Sequence, residues 1–193
     1  KLAENVREND NKLDYGILGS KYVPNALADF GYRDLVYAML NHTDFPGYGF
    51  WIEQGATTLW ENWEGGGSLN HVMFGDVSAW FYKHLGGIQP DPNFPGFKHF
   101  FVRPFFSADL EWTKASYKSM YGLINSEWTR TGDKVQLNIK VPVNTTATVE
   151  LPENSAFCQS MDLSIEKTTA AVGLTRYEIG SGDYCFEINV TDK

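Results

Sequence analysis

The chain has 193 residues and carries a net charge of −8, from 16 Lys+Arg against 24 Asp+Glu, with 42% hydrophobic and 21% charged residues. At about 150 residues per domain this allows one domain or two small ones, and the composition is that of a folded chain rather than a disordered one. No run approaches the ~18 apolar residues of a membrane span, and the acidic balance argues against nucleic acid as a partner.

The sequence begins at Lys1, with neither a Met nor the apolar core of a secretion signal, and residues 1–11 read as the tail of a helix with no visible cap. A piece of a longer or processed protein is the expectation. Ala26, Leu27 and Phe30 form one short apolar helical face. Leu35, Val36, Ala38, Met39 and Leu40 form a second, after Gly31. Residues 43–69 are a long segment rich in Gly and aromatics, and a connection of that length inside a compact domain is usually functional. The spacing of Val72, Met73, Val77, Trp80, Phe81 and Leu85 predicts a third helix over about residues 70–85, with Ser68 as its N-cap and Gly86-Gly87 as its stop.

The period changes near residues 95–104. Val135, Leu137, Ile139 and Val141 alternate with polar residues and predict a half-buried strand. Further strands are predicted over residues 116–129, 147–151, 163–165, 175–179 and 184–190, with turns at Thr131-Gly132-Asp133 and Asn144-Thr145-Thr146. The architecture expected is α+β: a helical domain over residues 1–97, then an antiparallel β-sandwich over residues 98–193. Cys158 and Cys185 could pair or remain buried thiols, and the sequence leaves both open. Sequons at Asn41, Asn144 and Asn189 are a short pattern that says little about compartment. A periplasmic or secreted setting is the expected one.

One stretch could carry chemistry. Glu61 stands between Trp60 and Trp63, followed by Gly65–Gly67 and then Ser68, Asn70 and His71. A carboxylate beside indole rings is desolvated, and one held near water can act as a general base. His71 could orient it or bond a ligand hydroxyl, and either indole could wall a sugar ring. The plainer readings are a solvated Glu61, a solvated Glu64, core tryptophans, a structural histidine and Ser68 as a cap. Asp76 follows His71 at i+5, a poor spacing for a bond between them. Gly65–Gly67 lacks the Lys-Ser/Thr of a phosphate loop. His42, His84 and His99 have no zinc-ligand spacing, so neither a metal nor a cofactor is expected.

At this stretch the sequence resembles glycoside hydrolase family 78, the α-L-rhamnosidases. Gly55-Ala56-Thr57-Thr58-Leu59-Trp60-Glu61-Asn62-Trp63 is similar to the family's GATT-hydrophobic-WE-x-W, and Ser68-Leu69-Asn70-His71 to its S-F-N-H. Phe45-Pro46-Gly47-Tyr48-Gly49-Phe50 resembles YP-x-W-G-Y, Gly75-Asp76-Val77 to Gly86-Gly87-Ile88 the helix ending in a GI pair, and Val102-Arg103-Pro104 the strand leading into the C-terminal domain.

The resemblance implies the last helices of an (α/α)6 barrel followed by a β-sandwich, and hydrolysis of terminal α-L-rhamnose with inversion. It implies Glu61 as general base, His71 as a sugar-binding residue, and Tyr48, Trp60 and Asn70 as pocket-forming residues. Tyr48 stands where Trp is common, and the loop between Glu61 and His71 is shorter than in many members. Inversion needs a second carboxyl roughly 6.5–9.5 Å from the first. The family's acid lies in an upstream DxxQRDE-type loop that this sequence does not contain. The chain is therefore expected to be inert alone. Its expected partner is a rhamnose-containing oligosaccharide or glycoside. An incomplete barrel would also expose apolar surface, which predicts either a homodimer or repacked helices. The alternatives are a non-catalytic carbohydrate-binding module, with the same Trp residues stacking a sugar, and a β-domain that merely buttresses the barrel.

Overall fold

The structure is a computed structural model that describes residues 1–158, 165–171 and 173–190. It divides into two compact units, Lys1–Phe81 and Tyr82–Lys193. Among the described residues no helix is long and apolar enough to cross a membrane.

The first unit holds five short helices: α1 (Leu2–Glu8), α2 (Gly19–Asp29), α3 (Arg33–Leu40), α4 (Tyr48–Glu53) and α5 (Asp76–Trp80). Helices α2 and α3 bury Leu27, Ala28, Leu35, Val36, Met39 and Leu40; of the faces expected from the sequence, Ala26 is only half-buried, Ala38 is exposed, and Phe30 is exposed because α2 ends at Asp29 and leaves it at the C-cap. The α2 end is closed by Tyr32 N–H donating to Leu27 O at 2.9 Å and Gly31 N–H to Ala28 O at 3.1 Å, the paired bonds of a glycine-terminated helix.

The predicted helix over residues 70–85 is corrected. His71 is extended (φ −130°), Val72–Phe74 form a single 3₁₀ turn, α5 begins at Asp76, and Phe81–Leu85 form a π-helical turn. Residues 68–71 instead face residues 58–61, with Glu61 N–H donating to Ser68 O and His71 N–H to Leu59 O. Ser68 is accordingly not a helix cap, although its Oγ accepts Asn70 N–H at 3.2 Å.

Among the described residues the second unit is a pair of five-stranded sheets. The first has the order β1-β2-β6-β9-β8, from β1 (Ile88–Pro90), β2 (His99–Val102), β6 (Thr146–Pro152), β9 (Leu174–Ile179) and β8 (Glu166–Ala171). The second has the order β3-β4-β5-β10-β7, from β3 (Trp112–Ser119), β4 (Gly122–Thr131), β5 (Lys134–Val141), β10 (Gly182–Asn189) and β7 (Ser155–Phe157). Alternation puts Val135, Leu137, Ile139 and Val141 inside, as expected. They join Trp128, Phe100, Val149 and Phe186 in one core built from both sheets. Trp128 is fully buried, and its indole N–H donates to Leu85 O at 3.0 Å.

Three expectations change here. The sandwich is not wholly antiparallel: β2 and β6 run parallel, with His99 opposite Thr146. The single strand expected over residues 116–129 is a hairpin, β3 and β4, turning at Met120-Tyr121. Ser119 makes that turn by accepting Tyr121 N–H at 3.1 Å and donating to Gly122 O at 2.9 Å. The β unit also starts earlier than the expected boundary at residue 98, since β1 belongs to it. Of the strand expected over residues 163–165, residues 163 and 164 lie outside the described residues. The hairpin turn at Gly132-Asp133 is present, with Thr131 opposite Lys134. Cys158 and Cys185 form a disulfide beside the β10–β7 pairing.

Candidate active site

The site is built on a short ladder of hydrogen bonds in the first unit between residues 58–61 and 68–71, neither of which forms a β-strand. Glu61 N–H donates to Ser68 O at 2.9 Å and His71 N–H to Leu59 O at 2.8 Å, while the Thr58 hydroxyl donates to Leu69 O. Glu61 and His71 therefore stand on facing segments of one ladder, both half-buried. The intervening loop is closed by the Asn62 carboxamide, which donates to Gly66 O at 2.8 Å and accepts Gly66 N–H at 2.9 Å. Glu61 Oε2 accepts Ser68 N–H at 2.8 Å.

Two glycines are dictated by this packing. Gly65 (φ +80°) would place a Cβ 2.6 Å from Trp60 Cζ3, and Gly67 (φ +75°) would place one 2.6 Å from Glu61 Oε2. Both conformations are left-handed ones that L side chains avoid. The glycine run thus lets the loop backbone lie against the indole and the carboxylate.

Behind the ladder is an aromatic cluster. Trp51 and Trp63 are buried, with ring centroids 4.6 Å apart, and half-buried Trp60 sits 5.7 Å from Trp51. Trp63 Nε1 donates to Tyr15 O at 2.8 Å and Trp51 Nε1 to Trp63 O at 3.0 Å. Tyr48 meets Trp51, Trp63 and Phe74 edge-on, and its hydroxyl donates to Phe74 O at 2.8 Å. Burial, with the Asp76 charge adding, pushes the Tyr48 phenol well above the usual tyrosine range. Burial does the same at Tyr15, with Tyr48 adding.

The structure gathers Trp60, Glu61, Asn70 and His71 on one ladder and sets Tyr48 in the cluster behind it. Asn70 is exposed. His71 Nδ1 is buried without a hydrogen-bond partner. Asp76 accepts from Asn25 Nδ2 at 2.7 Å. Two concavities flank the region. One of about 370 Å³ is bordered by Asn9, Lys12, Asp14, Phe45, Trp63 and Glu64. The other, about 460 Å³, includes Tyr48, Leu40, Ile52, Val77 and Phe81. Among the described residues no group of three or more His, Cys, Asp or Glu is placed to hold a metal ion.

This stretch and the strands beyond it match known proteins. Residues 1–85 match the bacterial alpha-L-rhamnosidase 6 hairpin glycosidase domain, and residues 87–165 the bacterial alpha-L-rhamnosidase C-terminal domain. The chain belongs to the α-L-rhamnosidase family. An alpha-L-rhamnosidase of Formosa agariphila is 34% identical over 88% of this chain and 19% of its own length. One from Alteromonas sp. is 29% identical over 100% of this chain and 21% of its own length. The solved alpha-L-rhamnosidase of Dictyoglumus thermophilum superposes with a TM-score of 0.84 at 30% identity, over 97% of this chain and 22% of that one. The Streptomyces avermitilis alpha-L-rhamnosidase complexed with L-rhamnose gives 0.83 at 28% identity, over 96% and 19%. This chain spans about a fifth of the length of these relatives and is homologous to their C-terminal region.

The β unit also holds polar clusters that the sequence reading did not anticipate. His99 Nδ1 lies 2.8 Å from Asp91 Oδ2, and His99 Nε2 lies 3.0 Å from Thr148 Oγ1, whose hydroxyl donates to Glu178. The Asn93 backbone N–H, with help from His99, holds the Asp91 carboxyl below the usual carboxylate range despite burial. Beside it, Glu150 accepts from Arg103 (2.7 Å) and Arg176 (2.7 Å). Burial acts to raise the Glu150 carboxyl, but the two guanidiniums outweigh it and hold it low. Most of these partners come from segments far apart in the sequence, so no local motif marks them.

Proposed function

We propose that this chain is the C-terminal part of an inverting α-L-rhamnosidase, contributing the last helices of an (α/α)6 barrel and the C-terminal β-domain. The observation that carries the reading is the Glu61 carboxylate, half-buried and gripped by a backbone N–H on the same ladder as His71. In this reading Glu61 takes a proton from water, and the water oxygen attacks the anomeric carbon of a terminal α-L-rhamnoside. A carboxylic acid supplied by a preceding part of the polypeptide protonates the leaving oxygen. His71 and Asn70 bond sugar hydroxyls, and the half-buried Trp60 walls the ring. Tyr48 contributes its ring to the pocket wall, since its hydroxyl is committed to Phe74.

The enzyme reading is favoured over a non-catalytic carbohydrate-binding module by where the aromatics lie. Five of them, Tyr48, Trp51, Trp60, Trp63 and Phe74, form one cluster of touching rings that reaches Trp60, the residue next to Glu61. The exposed Trp112 and Tyr117 of β3 form no comparable group, since Tyr117 packs on Phe97.

Substitution of Glu61 in the full-length enzyme tests the assignment. Glu61→Gln should lower kcat on a rhamnoside about 10²–10⁴-fold while leaving KM largely unchanged. The purified 193-residue chain should hydrolyse no rhamnoside. Normal turnover by Glu61→Gln would refute the base, and turnover by the purified chain would refute the missing acid.

A further inference from the structure

The two oxygens of the Glu61 carboxylate are not equivalent. Oε2 accepts the Ser68 N–H at 2.8 Å, whereas among the described residues no group donates to Oε1. Glu61 and Ser68 exchange hydrogen bonds, since the Glu61 N–H also donates to Ser68 O at 2.9 Å. Two neighbours fix where the Ser68 N–H points. The Asn62 carboxamide bonds both the N–H and the C=O of Gly66, at 2.9 and 2.8 Å, which clamps the loop two residues before the donor. Gly67, at φ +75°, lies so close under the carboxylate that any Cβ there would stand 2.6 Å from Oε2.

We propose that Asn62 and Gly67 are positioning residues for Glu61. They hold the Ser68 N–H on Oε2 and so leave Oε1 to accept the proton from the attacking water. The inference rests on the reading of Glu61 as general base. The water O–H bond breaks, its proton goes to Oε1, and its oxygen bonds the anomeric carbon. The bond to the leaving oxygen breaks as the acid protonates that oxygen. The terminal torsion of a Glu side chain is broad and only loosely set by local preference. A carboxylate without the Ser68 bond would therefore present either oxygen over a range of angles. Small misplacements of a reacting group cost up to about 10²-fold in rate.

The test uses Asn62→Ala, Asn62→Asp, Gly67→Ala and Glu61→Gln in the full-length enzyme, together with amide hydrogen exchange at Ser68 in the 193-residue chain. Asn62→Ala and Gly67→Ala should each lower kcat about 10–100-fold with KM within about twofold. Asn62→Asp keeps the acceptor for the Gly66 N–H and should recover part of the loss. Ser68 N–H exchange should be slow in the wild type. It should quicken by about tenfold or more in Asn62→Ala and in Glu61→Ala, with the fluorescence of the aromatic cluster unchanged. If Glu61→Gln abolishes turnover while Asn62→Ala and Gly67→Ala keep full kcat, the positioning roles are wrong and the base stands. If Glu61→Gln turns over normally, the base reading fails. Should Asn62→Ala not fold, Gly67→Ala and the exchange of Ser68 in Glu61→Ala decide: full kcat in the first, or unchanged protection in the second, overturns the proposal.

Discussion

The packing of Trp60 against the glycine loop can be isolated with a matched pair of substitutions, Gly65→Ala and Gly55→Ala. The two glycines have nearly the same backbone, φ +80° and +82°. A Cβ at Gly55 meets nothing within 4 Å, whereas one at Gly65 stands 2.6 Å from Trp60 Cζ3 and 2.9 Å from Cε3. Each alanine costs about 1–2 kcal/mol for a left-handed L residue, partly offset by about 0.4–1 kcal/mol from a stiffer unfolded chain. Those terms are common to both and cancel in the comparison. What remains is the overpacking at Gly65, about 1–3 kcal/mol, because Trp51 stands against the indole at 5.7 Å. With a urea slope of about 1–3 kcal/mol per molar, the Gly65→Ala midpoint should fall about 1 M below that of Gly55→Ala. Four of the six tryptophans lie in the first unit, so tryptophan fluorescence reports its unfolding directly. Equal midpoints for the two variants would mean that the Trp60 ring swings away freely, and the picture of a fixed indole wall beside Glu61 would be wrong.

Acid should weaken the β unit through Glu150. Its folded-state pKa lies below the ordinary 4.5, so the stabilisation is fully present above 4.5 and is lost as pH falls through the lower folded value. Glu150→Gln should cost about 1–2 kcal/mol at neutral pH, and the gap to the wild type should close on acidification below 4.5. Thermal melts from about pH 2.5 to 7, a span that brackets ordinary carboxylate titration, would show it, and a pH-independent gap would count against the ion cluster. In the first unit Leu18, Phe30, Ile52 and Val72 are more than two-thirds exposed. The 193-residue chain alone is therefore predicted to sediment as a dimer, and a monomer at about 100 μM (large apolar patches favour self-association at such concentrations) would contradict that.

Much of this was legible from residue spacing, and the failures have physical causes. The alternation Val135, Leu137, Ile139, Val141 survives because one face of β5 is core and the other is not. Most of the α3 face survives for the same reason, whereas in α2 only Leu27 of the expected face is buried, since the helix stops at Asp29 and leaves Phe30 outside it. The helix expected from residue 70 failed because Ser68–His71 found ladder partners at Leu59 and Glu61, a pairing no local pattern announces. The β3–β4 turn was missed because it carries neither Asn-Gly nor Asp-Gly. Its geometry comes from the Ser119 hydroxyl. At the site, Glu61, Trp60 and His71 were visible as residue types in an unusual order. The clamp on Glu61 was not, because it works through the backbone N–H of Ser68 and a glycine defined by the space it leaves.

The placement of β10 between β5 and β7 bears on how the protein is made. A ribosome delivers β3, β4 and β5 as a consecutive meander that can assemble as it emerges. The ladder from Gly182 to Asn189 must then be added from the far end of the described chain. At synthesis rates of about 5–20 residues per second, the open edge of β5 waits several seconds for its neighbour. During that interval it is exposed to pairing with nascent chains on adjacent ribosomes.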